Sequence, residues 1–188
     1  LEKSYAYRKK ALEQWEKSPH FIEDNSWGYL RILINIAIVN IELKNFHEAL
    51  DYLERASKIK ITNPLVIKDI TLTLNAYKIE TYYKSGQHQK GYNMLSEMKT
   101  KVIEYNASPN SKRTMALFTF ASFICFTTKN FNAALWWLNS ILNNTRKDLF
   151  DQELSFARIL HLMIHYELGN ELLLESAVKS TYRFLYKR

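Results

Sequence analysis

The run Lys44-Asn45-Phe46-His47-Glu48-Ala49-Leu50-Asp51-Tyr52-Leu53-Glu54-Arg55-Ala56 decides the fold of this chain. Its apolar or small residues are spaced three, four and three positions apart, at Phe46, Ala49, Leu53 and Ala56. In a helix with about 3.6 residues per turn, such positions form one stripe along one side. The segment before the run, Leu30 to Leu43, carries Ala37 where two helices must approach closely. The stretch therefore predicts two antiparallel helices joined by a short turn.

The stripe recurs along the chain at nearly equal intervals. Its first residues are separated by 41, 42, 43 and 40 positions, at Tyr5, Phe46, His88, Phe131 and Glu171. Regular intervals of this size are typical of stacked helical hairpins, in which each unit buries its neighbour's apolar face. We expect a half-repeat followed by four hairpins, over residues 1–17, 27–61, 64–105, 109–144 and 147–187.

Capping and turn residues separate the helices. Asn63 precedes Pro64, and Pro is favoured in the first turn of a helix, while Leu168-Gly169-Asn170 is typical of a helix end. Candidate N-caps after the half-repeat are Asp24, Asn25 and Ser26. These signals predict helices over residues 3–17, 27–43, 46–60, 64–84, 88–105, 110–128, 131–144, 147–168 and 171–187.

Composition supports a single all-α domain. Of 188 residues, 47% are hydrophobic, which is enough for a substantial core. Only four Gly and three Pro are present, too few turn residues for a mostly β-strand protein. The chain begins with Leu and is predicted to be helical from its first residues, so we expect a fragment of a longer protein.

The cysteine count and the apolar runs indicate a cytoplasmic protein. Cys125 is the only cysteine, so an intrachain disulfide and a cysteine-rich metal site are excluded. No signal peptide is visible. The longest apolar run, Ala116 to Phe126, is shorter than the roughly 18 residues of a membrane span, so we expect no membrane insertion.

The formal net charge of +7 comes from 26 basic and 19 acidic residues. Basic residues are spread over most of the predicted helices, which favours a solvated surface over a nucleic-acid footprint. Aromatic residues make up 14% of the chain, and most fall on packing stripes rather than on a base-stacking surface. Trp136 and Trp137 are adjacent, so we expect one in the core and the other partly exposed.

The pattern of the best repeat consists of Ala37, Phe46, Ala49, Leu53 and Ala56. Weaker copies are found at Gly86, Gly91 and Leu95, at Ser122, Phe131, Ala134 and Leu138, and at Gly169, Leu174 and Val178. On these residues the chain resembles the tetratricopeptide repeat family over about residues 27–187. The interval of about 42 residues departs from the family's usual period of about 34, and HEAT repeats also have periods in the longer range.

The resemblance implies a right-handed superhelix, a solenoid whose first helices line a concave face. It also implies binding of proteins, peptides or regulatory ligands rather than catalysis. Carried over position by position, the partner-binding face is Arg31, Ile34, Ile38, Ile41, Glu42, Thr73, Glu80, Tyr83, Thr119, Phe123, Phe126, Met163 and Tyr166. Two interpretations are open: an exposed apolar groove that binds a partner, or residues that pack on a missing segment or inside a tight superhelix.

Motifs for chemistry are absent from the sequence. It has no phosphate-binding glycine loop, nucleophile elbow or paired catalytic carboxylates, so we expect neither an enzyme nor a cofactor. His161 and His165 are four residues apart near Arg158, but no third metal ligand is evident, which favours a polar helix face or an anion contact over a metal site. The family's carboxylate clamp is not found, and Asn40 and Lys78 are isolated candidates for it.

The sequence thus predicts a non-catalytic scaffold that binds a protein or peptide. One alternative is a ligand- or peptide-sensing domain of a larger bacterial regulator, and another is a nucleic-acid-binding helical repeat. Self-association through open terminal repeats is a further possibility, because truncated solenoids expose uncapped apolar faces.

Overall fold

A computed structural model describes residues 2–144 and 150–186. This part of the chain is all-α, as predicted, with ten helices and no β-strand. The helices are α1 Glu2–Glu16, α2 Pro19–Asp24, α3 Ser26–Glu42, α4 Phe46–Ser57, α5 Pro64–Lys84, α6 His88–Glu104, α7 Lys112–Thr127, α8 Phe131–Asn144, α9 Asp151–Glu167 and α10 Glu171–Tyr186.

The helices belong to two compact units, Leu1–Gly86 and Gln87–Arg188, and each is described by itself. The prediction of one continuous domain, including a hairpin over residues 64–105 that spans the boundary, stays a prediction.

In the first unit, helices adjacent in sequence pack on each other. Helix α3 packs on α4, and α4 packs on α5, while α3 also contacts α1 and α5. The predicted stripe forms part of the core, because Ala49, Leu53 and Ala56 are buried. An ion pair between Arg55 on α4 and Glu16 on α1 closes one edge, and Arg55 also donates to the hydroxyl of Tyr29 at 3.0 Å.

The second unit repeats this order of packing. Helix α7 packs on α8, α8 on α9 and α9 on α10, and α7 also contacts α9. Phe118 and Trp137 are buried and meet edge to face, with ring centroids 5.2 Å apart. Trp136 is half-buried, with the ammonium of Lys99 at 4.6 Å from its ring centroid. The prediction that the two tryptophans differ in burial is therefore confirmed.

One turn geometry recurs at the helix ends. Lys44, Gly86, Lys129 and Gly169 all have positive φ, and they are separated by 42, 43 and 40 residues. After three of them, the next backbone N–H reaches the carbonyl five residues back, as in a Schellman motif. These bonds join Asn45 to Asn40 at 2.8 Å, Asn130 to Cys125 at 2.8 Å and Asn170 to His165 at 3.0 Å.

Each such turn is followed by a helix that begins at a predicted residue. Helices α4, α6, α8 and α10 start at Phe46, His88, Phe131 and Glu171. Tyr5 does not share this register, because α1 begins three residues before it, at Glu2.

Three predicted boundaries are corrected. Residues 19–24, expected as loop, form α2, because Pro19 occupies the first position of a helix, where Pro is tolerated. Helix α7 begins at Lys112 rather than at residue 110, because the Ser111 side chain caps it by accepting from the Thr114 N–H at 3.2 Å. Helix α9 begins at Asp151, whereas we predicted a start at residue 147; residues 145–149 lie outside the described residues.

Asn25 is the N-cap among the three candidates before α3. Its side-chain oxygen accepts a hydrogen bond from the Gly28 N–H at 2.9 Å. A Cβ at Gly28 would lie 3.0 Å from Asn25 and Trp15, so glycine is needed there for close approach. None of the helices in the described part of the chain is both long and apolar enough to cross a membrane.

Candidate functional site

The predicted partner-binding positions of the first unit lie on α3 and α5. Their two carboxylates come together at the ends of these helices, since Lys84 Nζ lies 3.4 Å from Glu42 and 2.7 Å from Glu80. The pKa of Lys84 is raised above its usual value. Burial alone would lower this pKa, but the hydrogen bond and charge of Glu80, together with Glu42, outweigh burial. The two acidic positions therefore share one lysine, which offsets one of their two negative charges.

Two of the predicted positions are not on the surface. Ile41 and Thr73 are buried, so the expectation that they line an exposed face is wrong. Helix α3 packs on α4 and also contacts α5, on which Thr73 lies. The Thr73 hydroxyl donates to the Asp69 carbonyl at 2.7 Å, which satisfies it inside its own helix.

The other predicted positions of the first unit differ in exposure. Arg31 and Glu42 are exposed, whereas the remaining four are half-buried: Ile34, Ile38, Glu80 and Tyr83. Half-buried aliphatic side chains make weaker anchors for a partner, because part of their apolar area is already removed from water.

In the second unit, the predicted positions on α7 are also half-buried. Phe126 packs against Phe131 at the start of α8, with ring centroids 5.8 Å apart. Thr119 has a buried hydroxyl that finds no hydrogen-bond partner among the described residues. Phe123, between them in sequence, is half-buried as well. These residues form packed structure with partial access to solvent.

Helix α9 carries the most exposed apolar surface among the predicted positions. Met163 is 46% exposed and Tyr166 is 73% exposed. Ile159 and Phe156 are also exposed, at 44% and 61%. The four residues are spaced three, four and three apart, so they line one side of the helix. We call them the α9 stripe.

Phe156 was not among the predicted site residues. The three- and four-residue spacing that identified the packing stripes could have found it, because Phe156 lies three residues before Ile159. In α9 that spacing marks a side exposed to solvent rather than a side in contact with the preceding helix.

Helix α10 carries a second exposed apolar surface, which we call the α10 face. It consists of Leu172, Val178, Tyr182, Leu185 and Tyr186. The rings of Tyr182 and Tyr186 stack on each other, with centroids 5.3 Å apart and planes at 19°. Among the described residues, α10 packs only on α9, which leaves this face uncovered.

The side of α9 opposite its stripe is polar and faces α10. His161 and His165 lie with their Nε2 atoms 3.1 Å apart, and the Asn170 amide nitrogen lies 3.1 Å from His165 Nδ1. Burial, then His165 and Arg158, lower the pKa of His161 to about 4, so this ring is neutral near pH 7. His165 is buried, so this polar side of α9 is partly removed from solvent.

Arg158 lies beside the two histidines, as predicted, and borders a cavity. One guanidinium nitrogen donates to Ser180 Oγ at 3.3 Å, and the guanidinium carbon lies 4.4 Å from the Phe184 ring centroid. Its Nε is buried and has no hydrogen-bond partner among the described residues. Burial lowers the pKa of Arg158. The cavity measures about 260 Å³ and is lined by Leu142, Arg158, His161, His165, Leu173, Ser176, Ala177, Ser180 and Thr181.

The donor set does not form a metal site in the described residues. No group of three or more His, Cys, Asp or Glu side chains is arranged there to hold an ion. Cys125 is buried, and burial raises the pKa of its thiol to about 12, so the reactive thiolate is absent near neutral pH.

Comparison of the chain with protein-family models, curated proteins and solved structures found no match.

Proposed function

We propose that this chain is a non-catalytic scaffold that binds a protein or peptide through an apolar helix face. The observation that carries the proposal is the α9 stripe, four large apolar side chains in a row that are all exposed. Scattered exposed apolar residues are ordinary, but a contiguous row of this kind is typical of an interaction surface.

The recurring turn supports a repeat architecture for this scaffold. Positive-φ residues at Lys44, Gly86, Lys129 and Gly169 recur at the spacing of the sequence stripe. In each unit, first helices of successive predicted hairpins contact each other, α3 with α5 and α7 with α9. Both features are what a tetratricopeptide-like, right-handed superhelix requires.

The α9 stripe has the form of a surface that binds an apolar segment. A partner helix or extended segment laid along α9 would bury Met163 and Tyr166. Such an apolar helix face bound in a groove uses anchors at the observed three- and four-residue spacings.

Capture of partners from a lysate, read by mass spectrometry, tests this proposal. We expect a partner to be retained by the wild type and lost by a Met163→Asp, Tyr166→Asp double variant. The matched control is a Leu65→Asp, Ile103→Asp double variant, which adds the same two carboxylates at apolar side chains that are 78% and 62% exposed and lie outside the stripe. Both variants change only exposed residues, and circular dichroism confirms that they keep their helices.

Retention of every partner by the Met163→Asp, Tyr166→Asp variant would contradict the proposal, as would equal loss in the Leu65→Asp, Ile103→Asp control. The exposed positions make a cleaner test than Ile38 or Phe123. Those side chains are half-buried, so an introduced carboxylate there would also disturb packing.

The α10 face favours self-association as a second candidate function. Its exposed residues include a stacked tyrosine pair, and no described helix covers them. We expect the average mass in sedimentation equilibrium to rise with protein concentration, and to stay at the monomer mass in a Tyr182→Ser, Leu185→Ser variant. A wild-type mass independent of concentration would exclude this function.

A further inference from the structure

We propose that the cavity between α9 and α10 binds a small oxyanion, a phosphate or a carboxylate group, through the guanidinium group of Arg158. This site is separate from the α9 stripe. Arg158, His161 and His165 are spaced three and four residues apart on the side of α9 opposite Phe156, Ile159, Met163 and Tyr166.

A cationic group without a described counter-ion is the first support. The described residues place no ion pair on the Arg158 guanidinium, and one of its terminal nitrogens donates to Ser180 Oγ, in the cavity wall. A partly buried charge without a counter-ion is costly, and oxyanions are the preferred acceptors for guanidinium groups. The bond to Ser180 and the contact with the Phe184 ring hold the guanidinium in place.

The two histidines of the cavity wall contact each other rather than add a cation. His165 Nε2 lies 3.1 Å from His161 Nε2, and the Asn170 amide lies 3.1 Å from His165 Nδ1. Burial, then His165 and Arg158, lower the pKa of His161 to about 4, so this ring carries no charge near pH 7. Arg158 is the one Lys or Arg side chain among the described residues of the cavity wall.

The size and lining of the cavity set the class of ligand. Its volume of about 260 Å³ lies below the roughly 300–1,000 Å³ of pockets that hold drug-sized ligands. Ser176, Ser180 and Thr181 add hydroxyl groups from α10, and none of the described residues of the wall is a carboxylate. A small, hydrogen-bonded anion fits this lining, whereas a cation or a large apolar ligand does not.

The Arg158 Nε–H cross-peak in a ¹⁵N–¹H spectrum reports directly on this site. The chain is titrated with sodium phosphate in one arm and sodium acetate in the other, at constant ionic strength held with sodium chloride. We expect a saturable shift of the cross-peak in at least one arm. Phosphate alone would assign the site to phosphate groups, acetate alone to carboxylates, and both to oxyanions in general. No saturable shift in either arm would overturn the proposal.

Two variants of Ser180, to the isosteric pair Glu and Gln, distinguish anion binding in this cavity from a general effect of protein charge. Ser180 is exposed, so Ser180→Glu keeps the fold and places a carboxylate beside the guanidinium. We expect Ser180→Glu to weaken anion binding by at least about tenfold, because a charged group occupies the site. The uncharged Ser180→Gln should bind more tightly than Ser180→Glu.

Arg183→Gln removes a charge from an exposed position of the same helix and should bind like the wild type. Equal binding by the Glu and Gln variants, or a loss in Arg183→Gln, would show that the anion binds elsewhere and would overturn the assignment.

Discussion

Helices α4 and α10 have the same stripe spacing but different surroundings. In α4, Ala49, Leu53 and Ala56 are all buried, because α3 packs on the helix and α5 packs on it as well. In α10, Thr181 is buried but Val178 is 48% exposed, because α9 is the one helix packed on it among the described residues. The comparison shows that spacing identifies the side that faces a neighbour, while burial depends on how many neighbours there are.

The largest expected effect on the free energy of unfolding comes from a substitution in α4. Leu53→Ala removes a fully buried side chain and should destabilise the protein by roughly 2–5 kcal/mol. Val178→Ala, at a matching position in α10, should change the free energy of unfolding by no more than about 0.5 kcal/mol. Urea unfolding followed by circular dichroism measures both. Equal costs would mean that α10 is as well covered as α4.

Acid should lower the stability of the protein through His161, which lines the cavity between α9 and α10. Histidine titrates near about 6.5 in an unfolded chain, whereas the pKa of His161 is about 4 in the fold. The unfolded state therefore binds more protons between these values. The contribution of His161 to the free energy of unfolding is fully present above pH 6.5. It is lost as the pH falls towards 4, and the loss is at most about 3 kcal/mol.

His161→Gln isolates this contribution from the carboxylates that titrate in the same range. Its free energy of unfolding should change less than that of the wild type between pH 7 and pH 4. If the free energies of unfolding of the two proteins changed with pH in parallel, the pKa of His161 would not be lowered in the folded state. Among the described residues, the titratable or charged groups near His161 are His165 and Arg158, and the described cavity-wall residues of α8 and α10 carry none.

The turns should behave alike in both hairpins despite the difference in packing. Lys44→Gly, before α4, should stabilise the protein by about 1 kcal/mol, because glycine adopts positive φ without a Cβ clash. Gly169→Ala, before α10, should cost about 1 kcal/mol for the same reason, since its φ is +66° and the Cβ would meet no neighbour. Thermal unfolding measures both, and a loss of stability in Lys44→Gly or a gain in Gly169→Ala would contradict a shared turn geometry.

The ion pairs at Lys84 should have the smallest effect. Lys84→Met should cost less than about 1 kcal/mol, because partly exposed pairs gain little over hydration. A double-mutant cycle with Glu80→Gln, read by urea unfolding, should give a coupling energy of about 0.2–1 kcal/mol. A larger coupling would mean that this edge of α3 and α5 is more buried than the structure shows.

Most helix boundaries could be predicted from the sequence, but burial at the candidate site could not. The starts at Phe46, His88, Phe131 and Glu171 follow from local signals, a turn followed by an apolar stripe. Ile41 and Thr73 were assigned to an exposed face because helical spacing cannot show that α5 contacts α3. The burial of His165 likewise depends on tertiary packing. The single-turn signals of α2 were too short to separate from a loop.

The assignment of the α9 stripe as the binding surface is tested most directly by a spectrum of the four methionine methyl groups. Met163 is exposed, whereas Met98 and Met115 are buried and serve as internal controls. The titrant is the partner recovered by the capture experiment. We expect its addition to shift the Met163 signal and to leave those of Met98 and Met115 in place. A Met163 signal that stays unchanged at saturation would contradict the assignment of the α9 stripe as the binding surface.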